Sequence, residues 1–329
     1  MGTTGSYYLS VSNPPFADAV KGNSSTSASV TLGGNVSGTI DQTGDHDWFA
    51  VQLTAGQTYL FTTSEVGASD VDTSLFLRNA SGGLLAYNDD SNGTYSRIRF
   101  TAPTTGTYYI DVSGWAEGDT GSYRLNAQVA PPLQLYTFDQ IAYQLTNTYW
   151  GGSSQRFNVQ AGGTLTFNVS LLTTDGQFLA REALKLWSDV TGIAFNEVAT
   201  GGQIQFDDNQ AGAFSTSTTS GSFIIESQVN ISVDWLTSSG TGLRSYGFQT
   251  YVHEIGHALG LGHAGPYNNN ASYAADAEYL NDAWTTTVMS YFDQNDNTYF
   301  QGLGYSFAYA QTPMMADIVA TSVLYGTAS

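Results

Sequence analysis

Three of the four histidines fall in one run, His253-Glu254-Ile255-Gly256-His257-Ala258-Leu259-Gly260-Leu261-Gly262-His263. On a helix, positions i and i+4 share a face, so His253 and His257 can point two imidazoles at one ion. Glu254 is rotated from that pair, near enough to reach an ion-bound water without ligating the metal. Gly260 has no Cβ, so it can take positive φ, end the helix and swing the chain back until His263 arrives as a third ligand. Three neutral imidazoles with an open position make a catalytic rather than a closed structural zinc site, with Zn–N distances of about 2.0 to 2.1 Å. A bare His-Glu-x-x-His occurs by chance on many helices. Gly260 and His263 at their offsets make one catalytic Zn2+ the reading here.

That run needs a helix beneath it and a turn after it. Helices are expected over 139–148, over 178–190 with Leu179, Ala183, Leu186, Trp187 and Val190 on one face, over about 245–259, and over 313–325 with Pro313 at its first position. Residues 165–169 and 203–206 read as strands, and helices mixed with a mostly local sheet point to an α+β or α/β domain, of which α+β is taken here. The first half follows a different pattern. Short alternating runs at 48–53, 58–61, 75–77, 97–100, 107–112 and 123–125, separated by Gly, Asn and Asp, suggest an antiparallel β-sandwich. His46, between two aspartates, reads as an exposed loop residue. Ala130-Pro131-Pro132-Leu133 marks the boundary, because consecutive prolines favour an extended connector. Two domains are expected: 1–130, a β-sandwich with an irregular N-terminal segment, and 131–329, the α+β domain that carries the histidines.

Composition narrows the partners. With 28 acidic and 9 basic residues, a net charge of -19 and no clustered Lys or Arg, nucleic acid is excluded as a ligand. The charge divides as -7 over 1–130 (5 basic, 12 acidic) and -12 over 131–329 (4 basic, 16 acidic), so it reads as solubility rather than a substrate code. The absence of cysteine removes disulfides, thiol nucleophiles and any thiolate that could cap the zinc. No run approaches the roughly 18 apolar residues of a membrane span. Met1 to Ser10 lacks the basic and apolar regions of a cleaved export signal.

The extended zinc motif resembles that of the metzincins, whose signature includes a downstream Met-turn. Val288-Met289-Ser290-Tyr291 supplies it, with Met289 beneath the zinc site; taken alone, Met289 would be ordinary core packing. The continuation Ala264-Gly265-Pro266-Tyr267-Asn268, with Thr287-Val288-Met289-Ser290-Tyr291 and Pro313-Met314-Met315-Ala316-Asp317-Ile318, resembles the serralysins from about residue 136 to 326. That resemblance implies a bacterial extracellular zinc endopeptidase acting on proteins or peptides, with Glu254 as general base. It makes Tyr291 a zinc-proximal tyrosine that stabilises the oxyanion, against the simpler role of a packed aromatic. It also implies an extended substrate added as a strand near Ala213 to Thr218. Serralysins normally continue into calcium-binding Gly-Gly-x-Gly-x-Asp repeats and a C-terminal secretion signal, neither of which is expected in this sequence.

In the first half, Asp45-His46-Asp47-Trp48-Phe49, Asp72-Thr73-Ser74-Leu75, Asn88-Asp89-Asp90-Ser91, Phe100-Thr101-Ala102-Pro103 and Gly106-Thr107-Tyr108-Tyr109 resemble the bacterial pre-peptidase C-terminal domain over about 30–129. Domains of that family usually follow a peptidase, and here one precedes it. Calcium is a candidate second ion at Asp89 and Asp90; the competing reading is an Asx-rich turn. Two other readings compete with the protease. The chain could be a secreted adhesion or binding protein whose zinc site is vestigial or structural, but Glu254, Tyr291 and all three histidines are intact. The first domain could also contact and inhibit the second until the Pro131-Pro132 connector is cut.

Overall fold

Short alternating runs broken by turn residues become eight strands in the first of two compact units, Met1–Ala130 and Pro131–Ser329. The computed structural model describes residues 18–68, 71–91, 94–268 and 270–327. Much of the irregular N-terminal segment expected before the first strand lies outside the described residues. The strands are β1 (Gly34–Ile40), β2 (His46–Leu53), β3 (Thr58–Glu65), β4 (Thr73–Arg78), β5 (Leu84–Asn88), β6 (Arg97–Thr101), β7 (Gly106–Gly114) and β8 (Gly121–Val129). They form two four-stranded antiparallel sheets, ordered β1-β8-β3-β6 and β2-β7-β4-β5. Alternate residues turn inward. Phe49, Val51, Leu75, Leu77, Ile110 and Val112 of one sheet share a core with Phe61, Ile98, Leu125 and Ala127 of the other.

Two strands of this unit had no expectation. β1 has Gly34 and Gly38 at positions on its more buried face, and a Cβ on Gly38 would collide with the Tyr123 ring, so its weak apolar alternation in sequence follows from close packing. β5 exposes Leu84, Leu85 and Tyr87 and turns the small Ala86 against the core, which leaves little apolar alternation to read. His46 requires a correction: it opens β2 rather than lying in a loop. Its Nδ1 is 2.7 Å from Oδ1 of the fully buried Asp111, whose Oδ2 accepts from Arg78 Nε at 2.8 Å.

In the second unit the pattern switches to a mixed sheet with helices. Its elements are α1 (Phe138–Tyr143, prolonged by a π-helical turn over Gln144–Thr148), β9 (Arg156–Phe157), β10 (Thr164–Asn168), α2 (Thr174–Thr191), β11 (Ala194–Glu197) and β12 (Ile204–Asp207). There follow β13 (Ala213–Ser220), β14 (Phe223–Ile231), α3 (Val233–Ser239), α4 (Tyr246–Ala258), α5 (Tyr273–Asp276), α6 (Thr298–Gly302) and α7 (Met315–Tyr325). The sheet order is β11-β10-β12-β14-β13, parallel except for β13, which pairs antiparallel with β14 at the edge.

Helix α2 starts four residues before the expected 178. Thr173 Oγ1 accepts from Gly176 N and Asp175 favours the first turn, while Gly192 at φ +67° closes the helix. Its buried face is Leu179, Ala180, Ala183, Leu184 and Trp187, with Leu186 and Val190 at the margin. Pro313 is not the first helical residue. Helix α7 begins two residues later, because the Asp317 carboxylate draws in the Met314 backbone N–H at 2.7 Å.

Candidate metal centre

Helix α4 carries the first two histidines and Glu254. Ser245 caps its start, with Oγ accepting from Phe248 N at 3.2 Å. Its end is a Schellman turn: Leu261 N donates to Gly256 O at 3.0 Å and Gly260 N to His257 O at 2.8 Å, with Gly260 at φ +98°. Glycine is demanded twice there, since a Cβ on Gly260 would also collide with the Gln155 carbonyl. The chain is then held by Gly262 N donating to Leu145 O at 2.7 Å, and His263 swings back as expected.

The three Nε2 atoms converge. Those of His253 and His257 are 3.0 Å apart, and those of His257 and His263 are 2.9 Å apart. His253 Nδ1 lies 2.8 Å from Val288 O and His257 Nδ1 lies 2.8 Å from Leu261 O. A carbonyl can only accept, so both Nδ1 atoms carry the proton and each neutral ring turns an Nε2 lone pair toward the other. Facing lone pairs at that distance repel, and a cation between them removes the repulsion. Burial holds His253 down to about 4 and, with neighbouring His253, holds His257 down to about 3; burial also holds His263 well below the ordinary value. All three rings are therefore neutral ligands at neutral pH. This donor set fits zinc, and His253, His257 and His263 would hold it.

Glu254 is buried beside them. Its Oε2 has no hydrogen-bond partner among the described residues, and burial pushes the carboxyl up to about 8. Both adjoining cavities touch it. One, of 910 Å³, includes Trp235, Tyr246 and Trp284; the other, of 580 Å³, includes Tyr149, Trp150 and Ser215. Residues of β13 line both, so the edge strand runs along the cleft where strand addition was expected. The Tyr291 ring stands 4.6 Å from that of His263 and 6.1 Å from that of His253. Met289 is fully buried under α4, against which a Cβ on Gly256 would meet its Sδ at 2.6 Å.

Asp317 was not singled out in the sequence. Its carboxylate accepts from Thr287 Oγ1 at 2.5 Å, Val288 N at 2.9 Å and Met314 N at 2.7 Å, anchoring the Met-turn whose Val288 carbonyl orients His253. A carboxylate inside the apolar face of a helix was the available signal. Asp89 and Asp90, by contrast, gather no third His, Cys, Asp or Glu among the described residues, and Asp89 Oδ2 accepts from Trp115 Nε1 at 3.0 Å. The carboxylates that do converge in the first unit are Asp18, Asp45 and Asp47.

Residues 45–114 match the bacterial pre-peptidase C-terminal domain family, residues 163–272 the matrixin family and residues 236–312 the peptidase M66 family. Serralysin C of Dickeya chrysanthemi is 33% identical over 231 residues, covering 58% of this chain and 44% of the relative. Metalloprotease AprA of Pseudomonas entomophila is 32% identical over 224 residues, again covering 58% and 44%. Over these residues the second unit is similar to serralysin-type metzincins, and the stretch that precedes it matches a pre-peptidase C-terminal domain. The chain thus spans less than half the length of these relatives. Among solved structures, the pre-peptidase C-terminal domain of a Bacillus anthracis collagenase is 17% identical, covering 31% of this chain and 93% of its own at a TM-score of 0.27.

Proposed function

We propose that the chain is a secreted bacterial zinc endopeptidase that cleaves peptide bonds within proteins. The observation that carries this reading is the convergence of three neutral imidazoles beside an unpaired, buried Glu254 carboxyl in an open cleft. His253, His257 and His263 would hold zinc, which would supply Lewis acidity and a water acidified to a pKa of about 7. Glu254 takes a proton from the attacking water and returns it to the departing amine. Tyr291 donates its hydroxyl to the oxyanion. The β13 edge receives the substrate backbone as an added strand. We read the two sheets of 1–130 as a β-sandwich and 131–329 as an α+β catalytic domain.

The larger cavity supports a preference for bulky apolar side chains. Trp235 Nε1 donates to Thr250 Oγ1 at 3.1 Å and Trp284 Nε1 to Ser290 O at 2.8 Å, so their polar atoms are occupied and ring surface remains for substrate. Glu254 is the sole acidic group among its described lining residues, which include no Lys or Arg.

The deciding measurement is zinc content together with hydrolysis of an unfolded protein by the wild type, Glu254→Ala and residues 131–329. Retained zinc with cleavage lowered about 10² to 10⁴-fold is expected of Glu254→Ala. Wild-type cleavage by that variant would sink the mechanism. A sharp rise in activity on removing 1–130 would make the first domain an inhibitor.

A further inference from the structure

Asp282 lies between α5 and the Met-turn, fully buried and outside the proposed chemistry. Its Oδ1 accepts from Ser290 Oγ at 2.7 Å, and the Tyr267 hydroxyl donates to the two carboxylate oxygens at 3.1 and 3.2 Å. Asn297 Nδ2, from the residue that caps α6, fixes the Asp282 carbonyl at 2.7 Å.

The two donors are the residues that flank the zinc-proximal tyrosine. Ser290 separates Met289 from Tyr291, and its Oγ also accepts from Phe292 N at 3.1 Å, so it grips both sides of Tyr291. Tyr267 lies four residues after His263. Its ring packs 5.8 Å from that of His263 and 4.9 Å from that of Tyr291. One buried carboxylate therefore joins the segment that delivers the third histidine to the segment that delivers Tyr291.

We propose that Asp282 is the positioning residue for Tyr291, holding its ring beside His263 by tying down Ser290 and Tyr267 together. The proposal rests on the role given to Tyr291 above. Remote side chains with fixed hydrogen bonds set reacting groups to a fraction of an ångström, and such fixing is lost as kcat rather than as substrate affinity.

The test uses zinc-loaded full-length Asp282→Asn, Tyr291→Phe and the double variant. Loss of one oxyanion donor should lower kcat about 10²-fold in Tyr291→Phe and about tenfold in Asp282→Asn, with KM nearly unchanged and zinc content intact. In the Tyr291→Phe background, Asp282→Asn should then cost less than about twofold, because its effect runs through a hydroxyl already absent. Losses that multiply in the double variant overturn the proposal.

A second readout does not depend on catalysis. In protein carrying 3-fluorotyrosine, the Tyr291 ¹⁹F resonance is the one missing from Tyr291→Phe, and it should shift in Asp282→Asn. An unmoved resonance overturns the proposal. Full activity in Tyr291→Phe would remove the catalytic role of Tyr291, while the resonance would still decide whether Asp282 positions the ring. Should Asp282→Asn fail to fold, Ser290→Ala and Tyr267→Phe each cut one link, and both should move the same resonance.

Discussion

At the scale of single residues, the centre depends on a few positions that accept no substitute. Gly260 combines φ +98° with a backbone carbonyl where a Cβ would stand. Gly260→Ala should therefore cost more than the ~1 kcal/mol of an ordinary glycine replacement, and it should release His263 from the site. Calorimetry and zinc titration check this; a variant with wild-type zinc affinity would show that the turn tolerates a side chain. Trp284 tests the cavity reading. Trp284→Ala should lower kcat/KM for a substrate with an aromatic side chain in that cavity about tenfold or more relative to alanine, since even single methylenes are worth ~1–3 kcal/mol in apolar pockets. Peptides differing at that one residue measure it. The histidines, Glu254 and Gly260 were legible in the sequence because their spacing acts within two helical turns and one reversal. Asp317 and Asp282 were not, because their partners lie in other segments.

At the scale of elements, α4 presents His253, His257 and Glu254, the turn after it presents His263, and the Met-turn and α7 hold His253 in place. Asp317 links the two. Burial pushes its carboxyl up to about 6, still ionised at pH 7, where it gathers three donors. Asp317→Asn loses the charge and at least one good acceptor geometry, so zinc affinity should fall about 10- to 100-fold through the Val288 contact to His253, as for other groups that orient metal ligands. Competition with a chromophoric chelator reads that affinity; an unchanged value would mean that the Met-turn holds its place without α7. Element boundaries followed local signals unevenly. Helix α4 came within a residue of the expected span, whereas α2 began early because Thr173 and Asp175 outweighed the missing apolar periodicity of its first turn. Strand β14 escaped notice because Glu226, Ser227 and Gln228 break its apolar run, although it pairs on both sides.

At the scale of the whole molecule, two separate cores imply two separately testable stabilities. In the first unit, burial pushes the Asp47 carboxyl up to about 7, above its ordinary 3.8, despite the Tyr123 hydroxyl donating to it at 2.6 Å. A raised carboxyl binds its proton more tightly in the folded state. Its contribution is complete below about pH 4 and is lost as pH rises towards 7. The first unit should thus melt at lower temperature across that interval, and Asp47→Asn should flatten the dependence. Equal slopes in wild type and variant would assign it to other groups. In the second unit, chelation should remove both activity and the stabilisation that bound metal supplies, about 2.7 kcal/mol at a hundredfold excess over Kd. Melting residues 131–329 with and without chelator measures it.

By itself the sequence determined the spacing that gathers His253, His257 and His263 beside Glu254, the reversal after α4 and the break at Pro131-Pro132, all consequences of chain geometry over a few consecutive residues. Only the tertiary structure decided what holds that set in place. The Val288 carbonyl on His253, the Asp317 clasp on the Met-turn and the Asp282 tie between Tyr267 and Ser290 join segments that local periodicity does not relate. The same holds for His46, whose place in β2 depends on the buried Asp111 of β7 opposite it. Hydrogen bonds between distant segments form only once packing has removed water from both, and no spacing along the chain records which two will meet.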